Sequence, residues 1–195
     1  MILFSDPLYL FVFFGLFSPG PNVILLTASG ARFGFRRTFP HLLGVALGVG
    51  VIAGLTGFGL GTLLLAYPSL TLLLKILAAL WILWMAWGLW NAKPKGADSA
   101  GAPMTFMQAV LFQWINPKIW AVALTAISAY PAGLDPLGEA LRLGTAFSGI
   151  NFFVCMFWTS AGALLTFLLA TPLAWRVFMR VMALALAGFS LMVFV

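Results

Sequence analysis

The chain alternates long apolar stretches with short polar connections. Apolar residues dominate residues 6–30, 41–66, 69–90, 105–129 and 145–169, and a sixth stretch that opens with Arg176 and Arg180 and runs to Val195. Each is close to the roughly 20 residues that a helix needs to cross the hydrocarbon of a bilayer. The pattern predicts an all-α integral membrane protein with six transmembrane helices. Two of the six are interrupted. Ser18-Pro19-Gly20-Pro21-Asn22 breaks the first and Asn116-Pro117-Lys118 breaks the fourth. Proline lacks an N–H and its ring clashes with the preceding turn, so a helix cannot run through either motif unchanged. Backbone groups freed in hydrocarbon cost several kcal/mol each unless a neighbour satisfies them.

The connections carry turn chemistry. Arg32-Phe33-Gly34-Phe35-Arg36-Arg37 follows the first span, and Pro40 suits the first turn of the next helix. Tyr67-Pro68-Ser69 makes spans 2 and 3 a hairpin. Residues 91–103 are the one linker-like stretch, and Pro131, Gly133, Asp135, Pro136 and Glu139 lie in the loop before span 5, with Asn151 near that span's start. In span 2, Gly44 and Gly48, Gly50 and Gly54, and Gly57 and Gly61 are each four apart, a spacing that lets helix backbones approach closely. Trp81, Trp84, Trp87 and Trp90 crowd the end of span 3 as an interfacial aromatic belt would; a cage for a cation is the other use of such a set.

Composition agrees with the pattern. Of 195 residues 63% are hydrophobic and 7% charged, against about 25% charged in soluble domains. The mean hydropathy is +1.10. Ten Lys/Arg against four Asp/Glu give a net charge of +6. These charges are scattered through short loops, so they read as topology determinants facing a lipid bilayer, and no nucleic-acid partner is expected. The single Cys155 offers no disulfide framework or metal spacing and reads as packing; no cofactor is expected. Arg32 is the first basic residue and no small-residue cleavage site follows the first apolar run, so that run reads as a retained span and not a leader.

Seven basic residues (Arg32, Arg36, Arg37, Lys93, Lys95, Arg176, Arg180) fall on one side of the expected topology, and Arg142 falls on the other with Asp6, Asp135 and Glu139. The positive-inside rule then puts both termini outside the cytoplasm. The chain reads as one domain, residues 1–195, made of two three-span halves (about 5–92 and 104–195, linker 93–103). Three is odd, so the halves enter the membrane from opposite sides and form an inverted repeat. Helix breaks at matching positions of two such halves point to a midplane substrate site.

The chemistry of the breaks suits an anionic group. The half-helices that restart at Pro21 or Asn22 and at Pro117 or Lys118 present N–H groups with partial positive charge. Asn22 and Asn116 either bond a substrate there or cap the helices. An ammonium near the bilayer centre costs at least ~2.5 to 3.5 kcal/mol, so Lys118 either serves the substrate or bonds carbonyls left open at the other break. The candidate substrate-binding set is Pro19, Gly20, Pro21, Asn22, Asn116, Pro117 and Lys118, with Gln113 and Asn151 as further contacts. No carboxylate is expected within a span, which argues against a divalent-metal site and against an intramembrane enzyme. A passive channel or pore for small polar solutes stands as the alternative to a transporter.

On Ser18-Pro19-Gly20-Pro21-Asn22, Gly34-Phe35-Arg36-Arg37, Gly44-x3-Gly48 and Phe112-Gln113 leading into Asn116-Pro117-Lys118, the sequence resembles the lysine exporter (LysE/RhtB) family of amino-acid efflux proteins over essentially its whole length. The resemblance implies export of an amino acid or derivative across the bacterial inner membrane by alternating access, driven by the proton motive force. Within the family the motifs are most similar to the cysteine and O-acetylserine exporters. Many members carry Asp directly after Pro-Gly-Pro, where this chain has Asn22. Protons, if they are the coupling ion, then fall to Lys118, His41 or the substrate's own amine. A homodimer is among the assemblies left open.

Overall fold

The computed structural model describes residues 6–60, 66–93 and 101–192. Among them are eight helices: α1 (Pro7–Phe17), α2 (Pro21–Phe33), α3 (Phe35–Gly57), α4 (Pro68–Trp90), α5 (Phe106–Ile115), α6 (Pro117–Ala129), α7 (Pro136–Leu165) and α8 (Pro172–Met192). The described residues contain no strand. Six of the eight helices start on a proline, where the missing N–H costs nothing. Stretches within α3, α4, α7 and α8 are each long and apolar enough to cross a bilayer. The pairs α1–α2 and α5–α6, bent by 57° and 65°, bring the candidate spans to six if each pair is one span.

Two element boundaries differ from the sequence expectation. The second span starts at Phe35, not near residue 41, because Gly34 (φ +78°) turns the chain directly out of α2. Pro40 therefore lies inside α3 and not in its first turn. The carbonyl it cannot bond belongs to Arg36, an exposed residue at the helix end. The fifth span starts at Pro136, about nine residues early, because Asp135 caps it by accepting from the Gly138 N–H at 3.0 Å. Asn151 is consequently central in a 30-residue helix. Glu139 belongs to the first turn of α7, so a carboxylate does lie within a candidate span, at its very end. Residues 61–65 of the expected second span, Gly61 among them, and residues 94–100 of the linker lie outside the described residues.

That acidic end is pinned. Arg142 donates to Asp6 at 3.1 Å and to Glu139 at 3.2 Å and to the Tyr130 carbonyl at 2.8 Å. The start of α1 is thereby tied to the start of α7, and the charge of Arg142 is matched.

The glycines of α3 are used for packing. A Cβ on Gly44 would lie 2.3 Å from the Phe106 carbonyl oxygen of α5, and one on Gly57 would lie 2.8 Å from the Glu139 carbonyl oxygen of α7. So α3 is seated against two helices at once, backbone to backbone. Leu42, Val45, Val49 and Ile52 of α3 form a core with Leu8 and Val12 of α1 and Leu143 and Phe147 of α7. α2 crosses α7 as closely, at Gly30 and Gly162. The pair α4–α8 is built differently: Ile82, Met85, Ala86 and Leu186 meet through side chains, and nothing lies within 4 Å of a Cβ added at Gly88 or Gly188. Trp81, Trp84, Trp87 and Trp90 are all exposed on α4, and Arg180 lies 4.8 Å over the Trp90 ring.

Candidate functional site

The two interruptions meet in space. α1 ends at Phe17 with Ser18 as its C-cap, α2 restarts at Pro21 with Gly20 as its N-cap, and Gly20 is extended (φ −178°, ψ 178°). In the second pair, Asn116 alone separates α5 from α6. Lys118, in the first turn of α6, reaches the other break: its ammonium donates to the Ser18 carbonyl, to the Ser18 hydroxyl at 2.9 Å and to the Pro19 carbonyl at 3.4 Å. A Cβ on Gly20 would sit 2.8 Å from Lys118 Cδ, so glycine leaves the lysine its path. The ammonium satisfies carbonyls that the broken helix leaves open, and it adds positive charge at a helix C-terminus where charge of that sign is favoured.

An amide cluster makes a second bridge. Asn22 Nδ2 donates to Gln113 Oε1 at 2.9 Å, and Gln113 Nε2 donates back to Asn22 Oδ1 at 3.2 Å. Gln113 Nε2 also donates to the Ala109 carbonyl at 2.9 Å, and Gln113 Oε1 accepts from Asn116 Nδ2 at 3.3 Å. The hydrogen-bonding capacity of Gln113, two donors and two acceptor sites, is thereby taken up. In this arrangement the Asn22 amide both donates to and accepts from Gln113, which an ionised carboxylate could not do. Neither Gly20 nor Asn116 caps its helix through a side chain.

Beside these bridges is a cavity of about 10 Å³, lined by Gly20, Asn22, Asn116 and Lys118 from the breaks, by Asn151, Val154, Cys155 and Trp158 of α7, and by Leu16, Val23, Leu26 and Ile119. It is narrow, with room for about one water molecule. Three buried polar atoms on its lining residues have no partner: Asn116 Oδ1, Asn151 Nδ2 and Trp158 Nε1. Buried polar side-chain atoms are bonded in the large majority of cases, so these two donors and one acceptor stand out among the lining residues. The lining residues include no carboxylate, and no group of three or more His, Cys, Asp or Glu suited to a metal occurs among the described residues.

The structure brings Gly20, Asn22, Asn116, Lys118 and Asn151 to this cavity. Pro19 contributes its carbonyl to Lys118. Pro21 and Pro117 start α2 and α6, and Gln113 supports the cavity from behind. His41 is buried elsewhere. Sequence reasoning did not include Trp158; Cys155, read as packing, belongs to the hydrophobic core and also lines the cavity. The available signal was spacing on α7: Asn151, Val154, Cys155 and Trp158 fall at i, i+3, i+4 and i+7, one face of a helix.

A bundle of apolar helices in which two bent helix pairs meet is the architecture of a multi-pass membrane protein. The chain belongs to the LysE type translocator family, whose family model matches residues 13–195. It is also similar to an uncharacterised membrane protein of Pseudomonas aeruginosa, with 29% identity over 153 residues, covering 73% of this chain and 66% of that protein's length. The chain thus spans slightly less than two thirds of that relative. No solved structure matches.

Proposed function

We propose that the protein is a secondary active exporter of a small amino acid or amino-acid derivative, working by alternating access in the bacterial cytoplasmic membrane. The observation that carries this reading is the set of unmatched atoms in the break cavity: Asn151 Nδ2 and Trp158 Nε1 suit a carboxylate, and Asn116 Oδ1 suits an ammonium. The apolar wall of Leu16, Val23, Leu26 and Ile119 suits an uncharged side chain. A zwitterion of modest size meets all three demands.

The domain reading accompanies it: residues 1–195 form one unit of two inverted halves, both termini outside the cytoplasm. The packing of α3 on α7 and α4 on α8, second span on fifth and third on sixth, supports such a pairing. In transport the contracted cavity opens to one side, Lys118 exchanges Ser18 and Pro19 carbonyls for the substrate carboxylate, and the bundle closes behind. With no carboxylate lining the cavity, coupling protons travel on Lys118 or on the substrate amine.

The test is uptake into inside-out vesicles. Accumulation of an amino acid against its gradient, abolished by an uncoupler, is expected; uptake that stops at equal concentrations and ignores the uncoupler would establish a channel. Asn151→Leu and Trp158→Phe should each cut transport at least tenfold. Wild-type rates for Asn22→Ala and Lys118→Ala with every amino acid would overturn the site.

A further inference from the structure

A second cavity lies further along α2. Asn22, Val23 and Leu26 face the break cavity, whereas Leu25, Ala28, Ser29 and Arg32 line an open cavity of about 430 Å³ shared with His41 of α3, the C-terminal half of α4 and residues 101–104. Ser29 is seven residues from Asn22, about 10 Å along the helix. The second cavity thus stands in line with the first, at the arginine-rich end of the bundle.

Two of its polar atoms are without a partner. The Arg32 guanidinium lies 4.9 Å over the Phe33 ring, and a Cβ on Gly101 would lie 2.9 Å from Arg32 Nη2. An aromatic ring and a bare backbone thus hold the charged head in place. Arg32 Nε is buried without a partner, and so is Nδ1 of His41, a residue only 2% exposed. Ser29 and Thr38 share a hydroxyl–hydroxyl bond at 3.0 Å beside them. The residues that line the cavity include no acid, and Arg37 adds a further positive charge 5.5 Å from the Phe33 ring. A planar guanidinium matches a carboxylate, and Trp84, Met85, Trp87 and Leu89 offer an apolar wall for the rest of a small molecule.

We infer that this cavity is a second binding site, in which Arg32, with His41 and Ser29, holds the carboxylate of a small solute outside the break cavity. The identity of that solute as the transported one rests on the export reading; the binding of a small carboxylate does not. The site concentrates substrate one step from the breaks, and its positive field favours anions over cations.

The test uses the full chain in phosphatidylcholine nanodiscs, where both faces are reachable, in a Cys155→Ala background. Ser29→Cys, with Ala28→Cys as a second reporter should the first fail to fold, is modified with an anionic sulfonatoethyl or a cationic trimethylammonioethyl methanethiosulfonate. A cavity with this charge should favour the anionic reagent by on the order of tenfold. Arg32→Gln should bring the ratio close to one, and acetate should slow modification only while Arg32 is present. Equal rates for the two reagents, no reaction at either position, or no effect of acetate would overturn the inference. So would protection by phosphatidylglycerol nanodiscs but not by acetate, which would assign the cavity to a lipid phosphate. Acetate protection in a protein that transports nothing would retain the site and reject the export reading.

Discussion

Lys118 at the start of α6 donates to both the hydroxyl and the carbonyl of Ser18 at the end of α1, one hundred residues away. Each break supplies what the other lacks: one exposes carbonyls, the other carries a half-buried cation. The cost of placing an ammonium in an apolar bundle is offset by the acceptors that the first break creates.

Lys118→Met should therefore lower stability by about 1–3 kcal/mol, since the Ser18 and Pro19 carbonyls lose their donor. Ser18→Ala should cost less, about 0.5–1.5 kcal/mol, because the carbonyl contacts stay. Thermal unfolding of the purified protein in detergent, followed by helical circular dichroism, measures both. The reverse order would contradict a role for Lys118 at the broken helix.

The amide bridge makes a coupling prediction. A double-mutant cycle of Asn22→Ala with Gln113→Ala should yield a coupling of about 0.5–3 kcal/mol.

Glycine substitutions should divide sharply. A Cβ at Gly162 would lie 2.0 Å from the Thr27 carbonyl oxygen, and backbone cannot swing aside. Gly162→Ala should prevent assembly of a monodisperse protein. Gly149→Ala and Gly88→Ala, helical positions with nothing within 4 Å, should be neutral or stabilising by about 0.5–1 kcal/mol. Size-exclusion profiles of the three variants in detergent distinguish them.

The acidic end should respond to acid. Asp6 has its pKa held below the ordinary value, chiefly by the Leu8 N–H at 2.9 Å and further by Arg142, against a smaller opposing effect of burial. A depressed carboxylate stabilises the fold above its unfolded pKa, and that contribution disappears as pH falls through the folded one. The melting temperature should drop below about pH 4, and Asp6→Asn should flatten that limb. An unchanged acid limb in the variant would show that Asp6 is not the group responsible.

Much of this was legible beforehand because proline and apolar length speak locally. The breaks at Pro19–Pro21 and Pro117 are positions where no helix can continue, whatever surrounds them. The contact between Lys118 and Ser18 was foreseeable only as a kind of contact, a cation serving open carbonyls, because a sequence carries no distances. The starts of α3 and α7 were missed for a reason of a different sort. Arg36, Arg37 and Glu139 look like loop residues by charge, yet Gly34 and Asp135 punctuate the chain before them, and punctuation outranks polarity at a helix end. Trp158 was invisible as a site residue because a tryptophan in an apolar helix is ordinarily lipid-facing or packed; only its unpartnered Nε1 sets it apart.

The contrast between backbone-seated and side-chain-seated helices has a mechanical meaning. Where carbonyls and glycines interlock, as between α3 and α7, there is no soft layer to shear, and the two helices must travel as one beam. Between α4 and α8 the seam is padded by Ile82, Met85 and Leu186, whose rotamers can yield. The molecule is thus stiff along one diagonal and compliant along the other. The open cavity of Arg32 and His41 lies where α2 and α3 of the stiff part face α4 of the compliant one.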